Sequence, residues 1–394
     1  MNNWPTKKLS KCVEEGLIEL KRGIVISEKD MREYPGPYPV YSSSSQNNGL
    51  FGTYGKYMFD EELITWSVDG GGYFFYRPKH KFSVTNVVGI LRLLTDELIY
   101  KFVYYHLVWQ RSRLEFDYVK KAHPSVIKDL YEIALPHLPI QQKIVKILDT
   151  IQDAVEIQEK IIEKTKEFKK SLMNLLFRYG IKALSIKELA SSRIGELTSS
   201  EIEKLGLRLK KTEVGQIPED WKVMRLGDEK IAEIKYGKGK PLESGEIPVI
   251  GSSGIYDWTN KALIEKPTIV IGRKGTVGIP HLSTFPCWPS DTAFYLDLNL
   301  EKIDPKFLYE YILFRPLSGE HAKTTLPSLK REDLENLKIP LPPLPEQQEI
   351  AEILQTIDQK IEIEKKKKEL YEELFKSMLN KVMNQEIDIE KIEI

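Results

Sequence analysis

The sequence predicts an α+β protein in which two similar globular domains are separated by two long helices that pair as an antiparallel coiled coil. Three observations predict it. The chain repeats itself at an offset of roughly 205 residues. Each repeat opens with about 135 residues of short apolar segments punctuated by Gly, Pro, Ser and Asn, the pattern of strands and turns with some helix. Each repeat then ends in a long stretch of apolar residues at alternating spacings of three and four.

The repetition is clearest where the domains give way to the helices. Leu135-Pro136-His137-Leu138-Pro139-Ile140-Gln141-Gln142 aligns with Leu341-Pro342-Pro343-Leu344-Pro345-Glu346-Gln347-Gln348, and both boxes run into Ile-Leu-x-Thr-Ile. Fainter matches keep the same order. Tyr38-Pro39-Val40-Tyr41-Ser42-Ser43 answers Ile247-Pro248-Val249-Ile250-Gly251-Ser252, and Gly70-Gly71-Gly72 answers Gly275-Thr276-Val277. Lys101-Phe102 answers Lys306-Phe307, and Ala122-His123-Pro124-Ser125 answers Thr325-Leu326-Pro327-Ser328. The first domain is read as 1–139, with a helix at 96–112, and the second as 212–345, with a helix at 304–316. Prolines in each box break secondary structure ahead of a long helix. Those helices are expected over 140–179 and 346–383, with 180–211 as a connecting segment and 384–394 as a tail.

In the first helix Ile144, Ile147, Ile151, Ala154, Gln158, Ile161, Thr165, Phe168, Leu172 and Leu175 follow the coiled-coil spacing, and Leu148 and Val155 join the pairing set. In the second, Ile350, Leu354, Ile357, Ile361, Glu364, Lys368, Tyr371, Phe375, Met378 and Val382 do the same. Two such helices, each closing one copy of a duplicated domain, are expected to pack antiparallel and act as a spacer. At about 1.5 Å per residue, such a helix spans about 57 Å, near one and a half turns of B-DNA. The run Lys365-Lys366-Lys367-Lys368 reads as a solvated helix face.

Lysine plus arginine and aspartate plus glutamate each number 58, so a DNA-binding surface has to be a local patch rather than a global charge bias. Cys12 and Cys287 are too few and too far apart for a disulfide framework or a metal knuckle. No long uncharged apolar run occurs, and Met1-Asn2-Asn3-Trp4-Pro5 lacks the order of a signal peptide, so a cytoplasmic location is expected.

Catalytic motifs are missing. There is no Asn-Pro-Pro-Tyr/Phe methyltransferase motif and no phosphate loop ending in Lys-Ser/Thr. Gly272-Arg273-Lys274-Gly275-Thr276-Val277-Gly278 is glycine-rich but reads as a strand and turn, because no helical pattern follows to offer its amides. The nuclease-like Asp228-Glu229-Lys230 and Asp304-Pro305-Lys306 lack an upstream acidic partner, and the histidines have no metal spacing. No catalytic or metal-ligating residue is therefore expected.

Residue types that touch bases and phosphates do recur in both domains. In the first, the candidate DNA contacts are the polar loop Ser42, Ser43, Ser44, Ser45, Gln46, Asn47 and Asn48, then Arg77, Lys79, Lys81, Thr85 and Asn86, then Arg111, Arg113, Lys120, Lys121 and His123. In the second they are Ser252, Ser253, Arg273, Lys274, Ser290 and Asp291, then Lys323, Thr324, Thr325 and Lys330.

The repeated Leu-Pro-x-Leu-Pro-x-Gln-Gln element with its long helix resembles the conserved regions of specificity subunits of Type I restriction-modification enzymes. Lys211-Thr212-Glu213-Val214-Gly215-Gln216-Ile217-Pro218-Glu219-Asp220-Trp221 looks like that family's approach to its second recognition domain. The resemblance covers nearly the whole chain. It implies two target-recognition domains on a bipartite double-stranded DNA target, a non-catalytic chain clamped by two methyltransferase subunits, and added restriction and translocation subunits. S-adenosylmethionine, ATP and Mg are then expected on the partners, with no cofactor on this chain and no membrane. From the residues alone, a stand-alone coiled-coil DNA-binding or structural protein is the alternative.

Overall fold

The computed structural model describes residues 4–44, 46–114, 122–185, 196–317 and 328–392. The chain forms two compact units: one of Met1–Gln158 with Lys367–Ile394, the other of Glu159–Lys366. Each unit thus joins a globular domain to one half of each long helix, Leu138–Tyr179 and Leu344–Met383.

The first unit is built on a six-stranded sheet in the order Ile18–Arg22, Val88–Leu93, Phe59–Ser67, Phe74–Val84, Tyr38–Tyr41 and Leu50–Tyr54. Its pairings are antiparallel except that of Tyr38–Tyr41 with Phe74–Val84. Trp66, fully buried, sets the packing. Its Nε1 donates to the Ala122 carbonyl at 2.7 Å, and a Cβ at Gly89 would stand 2.0 Å from its ring, so only glycine fits there. Leu9, Phe102, Tyr131 and Ile133 share this core with Ile144 and Leu148 from the opening turns of the first long helix. Leu379, Val382 and Met383 from the closing turns of the second complete it.

The second unit holds a four-stranded sheet, Ala232–Tyr236, Ala293–Leu298, Thr268–Gly272 and Pro280–Ser283, and a three-stranded one, Gly254–Thr259, Ile247–Gly251 and Trp288–Pro289. The helix Pro305–Phe314 starts on Asp304, whose Oδ1 accepts from the amides of Lys306 and Phe307 at 2.9 Å each. Trp221, Phe294 and Phe307 share a core with Leu172, Leu175 and Leu176 from the closing turns of the first long helix and with Ile350 and Leu354 from the opening turns of the second. In both units opening turns meet closing turns, which is antiparallel pairing.

The proline box has one job in each copy, done by one glutamine. Gln141 Oε1 accepts from the Ile99 amide at 2.9 Å, and its Nε2 donates to the carbonyls of Glu97 and Pro136 at 2.8 Å each. Gln347 repeats this with the Asp304 amide at 2.9 Å and the carbonyls of Lys302 and Pro342 at 3.0 and 2.9 Å. Both side chains are fully buried. The box therefore locks the domain's helix start to the long helix.

The expected seam of the second helix faces inward throughout: Ile350, Leu354, Ile361 and Val382 are buried, and Ile357, Tyr371, Phe375 and Met378 are half-buried. In the first helix Ile144, Leu148, Val155 and Leu172 are buried, and Ile151 and Ile161 are half-buried. Phe168 is a correction: it is 43% exposed. Thr165, half-buried, and Leu172, buried, keep their expected places, and between them Lys169 takes the inward position in place of Phe168, its Nζ 2.8 Å from Glu310 Oε2. Among the described residues, no helix is long and apolar enough to cross a membrane.

Candidate nucleic-acid interface

In the first unit, serines, an asparagine and a histidine converge from four segments. Ser42 and Ser43 follow the strand Tyr38–Tyr41. Thr85 Oγ1 donates to Ser42 Oγ at 3.1 Å, and Ser43 Oγ donates to the Val87 carbonyl at 3.1 Å. A Cβ at Gly70 would lie 2.2 Å from the Ser43 carbonyl oxygen, so the glycine loop has to pass bare backbone against the serines. Arg22 ties in the rest: its Nε donates to the Asn86 carbonyl at 2.9 Å, and its Nη1 lies 3.5 Å from His123 Nδ1.

The loop that follows is bent by Asn47 and Asn48, both left-handed at φ 47° and 52°, a conformation asparagine accepts more readily than most residues. Arg77, expected at the surface, is instead 1% exposed beneath that loop. It lies on an inward position of the strand Phe74–Val84. Its Nη2 donates to the Asn48 carbonyl at 2.9 Å, its Nε donates to Thr65 Oγ1 at 3.0 Å, and its guanidinium stacks 3.6 Å over the Tyr41 ring. Burial pushes its pKa down to about 10. Thr85 is likewise buried.

Other candidates scatter. Lys79 and Lys81 are exposed, with Lys81 Nζ 4.9 Å from the Tyr57 ring. Arg111 donates to the Gly71 carbonyl at 2.8 Å and so braces the glycine loop. Arg113 stacks 4.3 Å from the Trp109 ring and turns toward Asn380. Ser44 and Gln46 bond each other within the loop. Ser45, Lys120, Lys121, Lys323, Thr324 and Thr325 lie outside the described residues.

The second unit reuses the frame with different side chains. As the Thr85 amide donates to the Tyr41 carbonyl at 2.9 Å, so the amide of buried Ser290 donates to the Ile250 carbonyl at 2.8 Å. Thr292 is the hub. Its Oγ1 accepts from the Ser252 amide at 3.3 Å and lies 2.8 Å from Ser290 Oγ, and its carbonyl accepts from the amides of Arg273 and Lys274. Arg273 lies 5.0 Å from the Tyr236 ring. His281 Nε2 sits 3.2 Å from the Ser252 carbonyl oxygen. Ser253 and Asp291 are exposed alongside. Lys330 is exposed too, its amide donating to Asp333 Oδ2 at 2.9 Å at a helix start.

Sequence reasoning missed Arg22, Thr292 and His281. Thr292 stood next to a chosen residue, whereas nothing in the pattern around Arg22 marks it. Exposed aromatics beside these loops were also passed over: Phe51 and Tyr57 in the first unit, Tyr256, Trp258 and Phe285 in the second. Such a surface offers donors, acceptors and cations to bases and phosphates. Among the described residues no group of His, Cys, Asp and Glu could hold a metal ion.

The family model for the Type I restriction modification DNA specificity domain matches residues 3–167 and 218–373. The chain is 29% identical over 353 residues to a protein of Methanocaldococcus jannaschii assigned as the MjaX type I restriction enzyme specificity subunit, covering 85% of this chain and 76% of that one. To the MjaVIII specificity subunit of the same organism it is 27% identical over 417 residues, covering 95% and 91%. The crystal structure of the Type-I restriction-modification system S subunit from M. genitalium has the same fold, with a TM-score of 0.62, 20% identity and 96% of each chain covered.

Proposed function

The chain belongs to the Type I restriction-modification DNA specificity family and is a DNA sequence-specificity subunit, and from that premise we propose that its two domains read two different half-sites of one bipartite target in double-stranded DNA. The observation that carries this is the shared frame with unlike contents. Ser42, Ser43, Asn86, Arg22 and His123 present one set of polar groups. Ser252, Thr292, Arg273, Lys274 and His281 present another on the equivalent backbone. Two faces of one plan and different chemistry suit two short sequences with unread bases between them.

The chain itself performs no catalysis in this reading. It scaffolds two methyltransferase subunits, and restriction and translocation subunits join them. S-adenosylmethionine, ATP and Mg are bound by those partners. The family membership and the missing catalytic motifs support this division of labour.

The test is a domain replacement. Exchanging residues 1–139 for the equivalent domain of a relative, and mapping methylated adenines in cells that carry the partner subunits, should change one half-site and leave the other and the gap as they were. Both half-sites changing together would show that the domains do not read separately.

A further inference from the structure

Equivalent places in the two units hold opposite chemistry. Because Lys101-Phe102 answers Lys306-Phe307, Tyr105 and Glu310 occupy the same position on the helices Tyr100–Arg111 and Pro305–Phe314. Because Gln141 answers Gln347, Lys169 and Phe375 occupy the same position on the long helices. In the first unit Tyr105 meets Phe375 with ring centroids 5.8 Å apart, and its hydroxyl donates to Asp149 Oδ1 at 2.7 Å. In the second unit Glu310 meets Lys169, whose Nζ lies 2.8 Å from Glu310 Oε2 and 2.6 Å from Asp358 Oδ2. The Glu310 side chain is 1% exposed and that of Lys169 is 12% exposed.

A duplicated chain carries its own competitor. The half-helix that belongs on the second domain, 159–179, has a counterpart in 367–383 of any second copy, and the counterpart of Lys169 is Phe375. With Phe375 in that place Glu310 would be a buried carboxylate facing a ring, an arrangement that is strongly disfavoured. The reverse mismatch is milder, since a lysine beside Tyr105 would find Asp149. An exchange in which each long helix pairs with its own counterpart in a second copy needs both wrong contacts, so rejecting one blocks it.

We propose that Lys169 and Glu310 form a pairing key, which admits the half-helix 159–179 to the second domain, rejects the half-helix 367–383 of a second copy, and so keeps the first long helix from being replaced there by its counterpart. Burial, opposed by Lys169 and reinforced by Asp358, pushes the Glu310 carboxyl above the ordinary carboxylate range, as expected of a carboxylate that tolerates its site only with that lysine.

The test uses the full-length chain and two variants. K169F builds the mismatch in place and should lower the unfolding midpoint of the second unit by about 5 °C or more at pH 8. K169F/E310Y transplants the pair of the first unit and should recover most of that loss. Two copies carrying different affinity tags are then unfolded and refolded together. In wild type, mixed-tag species are limited to swaps that keep Lys169 on Glu310, whereas K169F/E310Y, which accepts Phe375, should raise the mixed fraction several-fold. A K169F chain as stable as wild type, a double variant no more stable than K169F, or equal mixed fractions for wild type and double variant would each overturn the key.

Discussion

Arg77 shows how a residue of the right type can act on a surface without belonging to it. Strand alternation puts it under the loop 42–48, where it holds the Asn48 carbonyl and Thr65 Oγ1, and its Nη1 has no hydrogen-bond partner among the described residues. Replacing it with methionine leaves those two acceptors unmatched, a loss of about 2 kcal/mol or more. Arg77→Met is expected to speed hydrogen exchange at the Gly49 amide, now bonded to the Gln46 carbonyl at 2.9 Å, and to weaken DNA binding. Unchanged exchange at Gly49 would show that the arginine is no brace. Composition marks the serines and Asn86 as loop residues, because polar residues between apolar strands announce loops. It could not tell Arg77 from an exposed arginine, because which way that strand faces depends on the register shift between Glu61 and Leu63 opposite it, nor find Arg22, whose place depends on the loop at Asn86 that the fold brings to it.

At the scale of elements, the long helices were the most legible feature, since a heptad survives translation from sequence to structure. The second helix keeps the expected stripe from Ile350 to Val382. The first keeps Thr165 and Leu172 in place but slips by one residue at Phe168, where Lys169 turns inward to Glu310, distant in sequence, instead of the aromatic side chain. That preference was invisible without the partner. A matched pair of substitutions checks the slip. Leu354→Ala, at a fully buried site, is expected to cost about 2–5 kcal/mol, whereas Phe168→Ala, 43% exposed, is expected to cost well under that, both read from urea unfolding of the second unit. Equal costs would restore Phe168 to the seam. The repeated box was legible as a motif but not as a mechanism: that Gln141 and Gln347 each make the same three hydrogen bonds emerges only when the folded backbone brings Glu97 and Lys302 to them.

For the whole molecule, the division into units crosses the order of the chain. The first unit draws on Lys367–Ile394, and Lys143 fastens that segment by donating to the carbonyls of Ile389, Glu390 and Ile392 at 3.4, 3.0 and 2.9 Å. The Trp4 amide adds a bond to Gln385 Oε1 at 3.1 Å. Lys143→Met should loosen the segment by about 2 kcal/mol, seen as faster proteolysis within 384–392 while 159–366 resists as before. Equal proteolysis of both would show that the lysine does not hold it. The same crossing dictates an order of birth. At about 5–20 residues per second, a ribosome needs roughly 10–40 s to pass from residue 159 to residue 366. The second unit then has all its parts, while the first still waits with Ile144 and Leu148 bare of Leu379 and Val382. The domain made first matures last, and a nascent chain stalled before residue 367 would carry one finished unit and one open one.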